Sequence, residues 1–333
     1  MARVAIIGGG SFGSAMACVL RRLGHEVLVW AREAEVVAAI NDRGVNATFL
    51  PEVALERGVR ATADLAEATS GRDFILTAVP AQHLREIAVR MRPSLPGATP
   101  VVSCSKGIER GSHALMPEVM AQELPQAVVA VLSGPSFARE IAADLPCGVA
   151  LACADRPVGE YLARQISSPR FCIHLYDDLV GAAVGGVMKN VISIASGIAA
   201  GRKLGENARA TLITLGFEEE RRFGLALGAR PETFMGLAGL GDLMLTANSL
   251  KSRNTSLGVA LGEGRRLADV LAERREVTEG AFSVEGVAAR GLRLGVDMPI
   301  TQALDCVLNH GGDLDAEMAR LAIRLPALRQ AAA

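Results

Sequence analysis

Val4-Ala5-Ile6-Ile7-Gly8-Gly9-Gly10-Ser11-Phe12-Gly13 decides the fold of this chain. The apolar run reads as a buried strand, the glycines as a turn, and Ser14 to Leu23 as the body of the following helix. Each spaced glycine has a physical task. Gly8 permits the tight turn, Gly10 lets the backbone approach a pyrophosphate, and Gly13 lets the helix pack against the strand. The helix start adds unused N–H donors and the positive end of its dipole. Gly8, Gly10, Ser11, Phe12 and Gly13 are therefore expected to hold a dinucleotide.

The next strand, read over 26–30, bears on which dinucleotide. NAD-binding units place an acid about twenty residues beyond the glycines, where it accepts from the ribose 2′-hydroxyl. Val27-Leu28-Val29-Trp30-Ala31-Arg32 contains none, and Arg32 stands where a guanidinium accepts a 2′-phosphate. NADP is the expected cofactor, with NAD as the alternative should Glu33 read the ribose.

Further strands are predicted at 3–7, 59–61, 73–78, 99–104, 127–132, 147–153 and 171–176, alternating with helical patterns. This is the signature of a parallel sheet covered on both faces. Beyond Asp177 the strand runs stop, and Ala-, Leu- and Gly-rich stretches with helical period take over. The predicted class is α/β: a Rossmann-type doubly wound sheet over residues 1–177, then an all-α domain over 178–330. A helix read over 179–200 is apolar on all sides. Lys189, Asn190 and its glycines mark it as a buried axis and not an integral membrane segment.

The 333 residues are 50% hydrophobic, 4% aromatic, and carry a formal net charge of -1. Without a basic tract, nucleic acid and anionic membranes are poor partners, and a small molecule is expected. Met1-Ala2-Arg3 runs straight into the first strand, leaving no room for a signal peptide, so a cytoplasmic location is expected. The six cysteines show no C-x-x-C spacing and read as buried free thiols of a reducing compartment. The five histidines are dispersed, and no metal site is predicted. A homodimer built on the glycine-rich helices is as compatible with this composition as a monomer.

Only four of the 35 basic residues are lysines: Lys106, Lys189, Lys203 and Lys251. Arginine is this chain's ordinary surface cation, so a lysine inside an apolar or glycine-rich segment points to the work of a titrating amine. Lys189 shares a small, polar helix face with Gly185, Gly186, Ser193 and Ser196. Lys106 follows a strand, at the carboxyl edge where open α/β sheets bind ligands. Ser133-Gly134-Pro135-Ser136-Phe137 has the same address and offers N–H groups and a hydroxyl to an anion. Gly239-Leu240-Gly241-Asp242 presents a carboxylate at a helix start. Asn248-Ser249-Leu250-Lys251-Ser252-Arg253-Asn254 gathers hydroxyls, amides and a guanidinium fork suited to phosphate.

These segments, with Ser105-Lys106-Gly107-Ile108-Glu109, Lys189-Asn190-Val191 and Thr278-Glu279-Gly280, are collinear with motifs of the bacterial NAD(P)-dependent glycerol-3-phosphate dehydrogenases, which the chain resembles over nearly its full length. The resemblance implies interconversion of sn-glycerol 3-phosphate and dihydroxyacetone phosphate, feeding glycerophospholipid synthesis. It implies cofactor contacts from Ser11, Phe12, Arg32, Lys106, Ala138, Arg253, Val277 and Glu279. It implies substrate contacts from Lys106, Gly134, Ser136, Lys189, Asp242, Ser252, Arg253 and Asn254, with Lys189 as catalytic proton donor and acceptor. A hydroxyacid dehydrogenase of the same architecture, or a nucleotide sensor without catalysis, are the competing readings.

Overall fold

The computed structural model describes residues 1–274 and 277–331, with side chains as far as Ala322. Ten strands occur in chain order: β1 (Arg3–Ile7), β2 (Glu26–Trp30), β3 (Val45–Asn46), β4 (Leu50–Ala54), β5 (Arg60–Thr62), β6 (Phe74–Thr77), β7 (Pro100–Ser103), β8 (Val128–Ser133), β9 (Cys147–Cys153) and β10 (Phe171–Tyr176). Eight form one sheet in the order β10-β9-β8-β7-β6-β1-β2-β5, and β3 pairs with β4 in a separate hairpin. Order reverses beside β1, the place where such sheets open a crevice at their carboxyl ends.

Successive strand residues point to opposite faces. Val4, Ile6, Val27, Val29 and Leu76 join the first helix, Ser11–Arg22, in one core layer. Ala5, Ile7, Leu28, Trp30 and Ile75 pack on the other side against the helix Leu84–Met91. Burial on both faces is why these strands read as continuous apolar runs.

Two features depart from expectation. β9 runs antiparallel to β8, whereas every other neighbouring pair in the large sheet is parallel. A parallel return needs a crossover of about a dozen or more residues carrying a substantial helix. Here only the five-residue helix Ala138–Ala142 intervenes, so the chain turns back from the end at which β8 finished. The hairpin Val45–Ala54 is the other: its strands are short and half-exposed, too brief for a period to show. The cysteines are free as expected, but Cys172 is exposed and Cys147 and Cys306 are only half-buried.

After Tyr176 the described residues form no further strand. The helix Leu179–Gly201 is long and apolar enough to cross a membrane, but 83% of its most apolar window is buried inside the protein. Helices Glu206–Ala226, Asp242–Ala247, Arg253–Gly262 and Glu279–Arg293 pack around it. The crossing with Arg253–Gly262 is the closest: a Cβ at Gly197 or Gly258 would collide with the facing backbone. Glycine there brings polar residues of the two helices within hydrogen-bonding reach.

Candidate active site

The glycine turn has the geometry its sequence predicts. Gly8 sits at φ +124°, a conformation that suits glycine, and its N–H donates to Trp30 O at 3.0 Å. A Cβ at Gly8 would lie 2.7 Å from the Ala78 carbonyl, and one at Gly13 would collide with Gly8 O, whereas nothing lies within 4 Å of the Cβ position at Gly10. No side chain caps the helix at Gly10, so its first N–H groups remain for a ligand. The open side, the helix N-terminus and the close packing together fit a pyrophosphate. Ser11 donates to Phe49 O at 2.5 Å, and Phe12 is half-buried beside the core. Arg32 stands exposed at the end of β2, paired with Glu33 at 2.9 Å.

Three charged groups converge from distant parts of the chain. Lys106 Nζ, from the loop after β7, lies 2.5 Å from Asp242 Oδ2 and 2.9 Å from Gly134 O. Lys189 Nζ lies 3.3 Å from Asp242 Oδ1 and donates to Thr246 Oγ1 at 3.1 Å. Gly186 makes room for this arrangement: a Cβ there would press on Ser133 Oγ and the Lys106 stem. Gly134 adopts φ +130°, and Ser136 Oγ donates to Gly134 O at 2.8 Å.

Burial and charge set the protonation of this cluster. Desolvation is the main force on Lys189 and brings it down to about 8, against a smaller upward pull from Asp242 and further lowering by Lys106 and Arg253. Burial alone would raise the Asp242 carboxyl, but the ammonium groups of Lys106 and Lys189 hold it below the ordinary aspartate value. The result is an amine brought down to about 8 and held against a carboxylate whose charged form is favoured.

The segment Ser252-Arg253-Asn254 meets the site differently from the expectation of three outward donors. Ser252 Oγ caps its own helix by accepting from Thr255 N at 3.2 Å. Asn254 turns inward, donating to Asn190 Oδ1 at 2.8 Å and accepting from Gly280 N at 3.0 Å. Arg253 is exposed at the first turn of Arg253–Gly262, between the buried Ser252 and Asn254. Asn190 in turn donates to Lys106 O at 3.1 Å. Asn190 and Thr246 carry the site's geometry yet drew no role from sequence. A lone buried amide inside the apolar stretch 179–200 was the signal for the former.

Glu279 crosses from the helical half to the sheet, accepting from Ala81 N at 3.0 Å, and burial raises it to about 7. Its Oε2 is buried without a hydrogen-bond partner. Val277 is half-buried just ahead of this helix, and Ala138 opens the short helix after the Gly134 loop.

A glycine turn shaped for a pyrophosphate on a largely parallel sheet, followed by a helical half whose Lys189 is held on the Asp242 carboxylate, is the arrangement of a nicotinamide-dinucleotide dehydrogenase. Comparison with known proteins narrows the class. The chain belongs to the NAD-dependent glycerol-3-phosphate dehydrogenase family, matching its N-terminus over residues 3–158 and its C-terminus over 178–319. It is 47% identical, over 97% of its length and 96% of the relative, to a glycerol-3-phosphate dehydrogenase (NAD(P)+) of Parvibaculum lavamentivorans. A relative of the same name from Rhodospirillum rubrum is 50% identical over 95% of this chain and 90% of its own. The crystal structure of glycerol-3-phosphate dehydrogenase from Coxiella burnetii superposes with a TM-score of 0.92 at 37% identity, covering 96% of this chain and 98% of that one.

Proposed function

We propose that the protein interconverts sn-glycerol 3-phosphate and dihydroxyacetone phosphate with NADP(H), NAD(H) being the alternative cofactor, and supplies glycerol 3-phosphate for glycerophospholipid synthesis in the cytoplasm. The observation that carries this reading is Lys189, largely buried, held on Asp242 and brought to about 8. Residues 1–177 act as the dinucleotide domain and 178–330 as the substrate domain.

Bound NAD(P)H supplies a hydride to the ketone carbon. Lys189 donates the proton that the resulting alkoxide needs, and in the reverse direction the neutral amine takes it back from the alcohol. Asp242 aims that amine and keeps its charge tolerable in a buried site. Arg253 and the helix start behind it hold the substrate phosphate, turning binding of a remote group into orientation at the carbonyl. Lys106, Gly134 and Ser136 line the same end of the crevice. Gly8, Gly10, Ser11, Phe12, Gly13, Arg32, Ala138, Val277 and Glu279 hold the cofactor, and the partnerless Glu279 Oε2 is one polar atom it would satisfy.

The test is NADPH oxidation followed optically with dihydroxyacetone phosphate and with unphosphorylated dihydroxyacetone, in wild type and Arg253→Ala. The phosphate should matter greatly to wild type, and the variant should lose mainly in KM for the phosphorylated ketone. Equal turnover of both ketones by wild type would sink the substrate assignment.

A further inference from the structure

The strands of the hairpin β3–β4 are too short to show in the sequence pattern, yet one of its residues reaches into the glycine turn. Asn46 is completely buried. Its Nδ2 lies 2.7 Å from Gly9 O and 2.8 Å from Ser14 Oγ, and its Oδ1 accepts from Phe49 N at 3.2 Å. Every bond the amide makes therefore ties the hairpin to the turn or closes the hairpin on itself. From the other side, the Ser11 hydroxyl donates to Phe49 O, so turn and hairpin are locked in both directions.

The consequence follows from peptide geometry. In a trans peptide the C=O and the next N–H point opposite ways across a rigid plane. A Gly9 carbonyl pinned inward on Asn46 turns the Gly10 N–H outward, on the residue whose Cβ side is open. With glycine at 8, 9 and 10 the local sequence puts few steric limits on that plane. The second bond, to Ser14, fixes the first turn of the helix whose N–H groups flank the same opening.

We infer that Asn46 is a positioning residue that sets the Gly9–Gly10 peptide plane for the cofactor's pyrophosphate. The inference rests on the reading of Gly8 to Gly13 as a dinucleotide turn. It assigns to the hairpin a task in cofactor binding that does not require its side chains to touch the phosphates.

Binding, not turnover, decides it. NADPH affinity is measured by the cofactor's fluorescence, and that of adenosine 2′-monophosphate, which lacks the pyrophosphate, by displacement. Asn46→Ala should weaken NADPH about ten-fold, the effect of losing one or two well-placed hydrogen bonds, and adenosine 2′-monophosphate by less than about two-fold. Asn46→Asp keeps the volume but sets a carboxylate against Gly9 O, so it should weaken NADPH at least as much with the same selectivity. Parallel loss of both ligands would mean that the hairpin has collapsed, and unchanged NADPH affinity in the two variants that the plane needs no anchor; either overturns the inference. Wild-type protein that bound the monophosphate but not NADPH would remove the dinucleotide reading beneath it.

Discussion

Lys189 and Lys106 share one carboxylate: their ammonium groups lie 3.3 and 2.5 Å from the two oxygens of Asp242. A single buried anion thus stands between two cations that come from the helical core and from the sheet's carboxyl edge. Removing it exposes each cation to the other.

The pH dependence of reduction should report Lys189. Donation needs the ammonium, so reduction should fall as pH rises through about 8, and oxidation, which needs the amine, should rise over the same window. In Asp242→Asn the supporting charge is gone, and the limb of the reduction profile should move at least about one unit toward acid. An unmoved limb in a folded variant would assign the titration to another group.

Lys189→Met should fold and bind cofactor while its chemical step slows by about 10² to 10⁴. Lys106 reaches Gly134 O, Asp242 and Ser136 among the groups proposed to meet the substrate, so Lys106→Met should lose affinity for substrate more than rate. Single-turnover measurements on both variants separate the roles. Near-normal transfer by the Lys189 variant beside a dead Lys106 variant reverses them.

Cofactor preference should follow Arg32, which is exposed and tied only to its neighbour Glu33 among the contacts described. Arg32→Asp should reduce kcat/KM for NADPH far more than for NADH, by over about ten-fold in the ratio. A ratio that stays within a few fold would move the 2′-phosphate contact elsewhere.

Glu220 should be a liability to stability. It is completely buried, both carboxyl oxygens lack partners, and burial, with Asp242 adding to it, drives it well above the ordinary glutamate value of 4.5. A folded-state value above the unfolded one means that stability is full below about 4.5 and is lost as pH climbs from there. Glu220→Met should therefore raise stability by about 1 to 3 kcal/mol at neutral pH and flatten its pH dependence, checked by denaturant melts at several pH values. An equal slope in both proteins would show that Glu220 finds a partner.

Local order was plain in the sequence because its signals are short-range. Strand, turn and helix around Gly8–Gly13 follow from residues in immediate succession, and the switch from strand runs to helical period near Asp177 is equally local. Lys189 stands out as a candidate in the sequence because a lysine is rare in this chain and anomalous in an apolar helix. Tertiary structure decided the rest. The reversal of β9 depended on how little helix fits between Ser133 and Cys147, a question of where the chain can return. The inward turn of Asn254 depended on Asn190 and Gly280, which only helix crossing brings near it. Lys106, Lys189 and Asp242 each read as a candidate alone, but the shared carboxylate and the lowered lysine arise from burial and distance, and residues so far apart along a chain acquire those only when it folds.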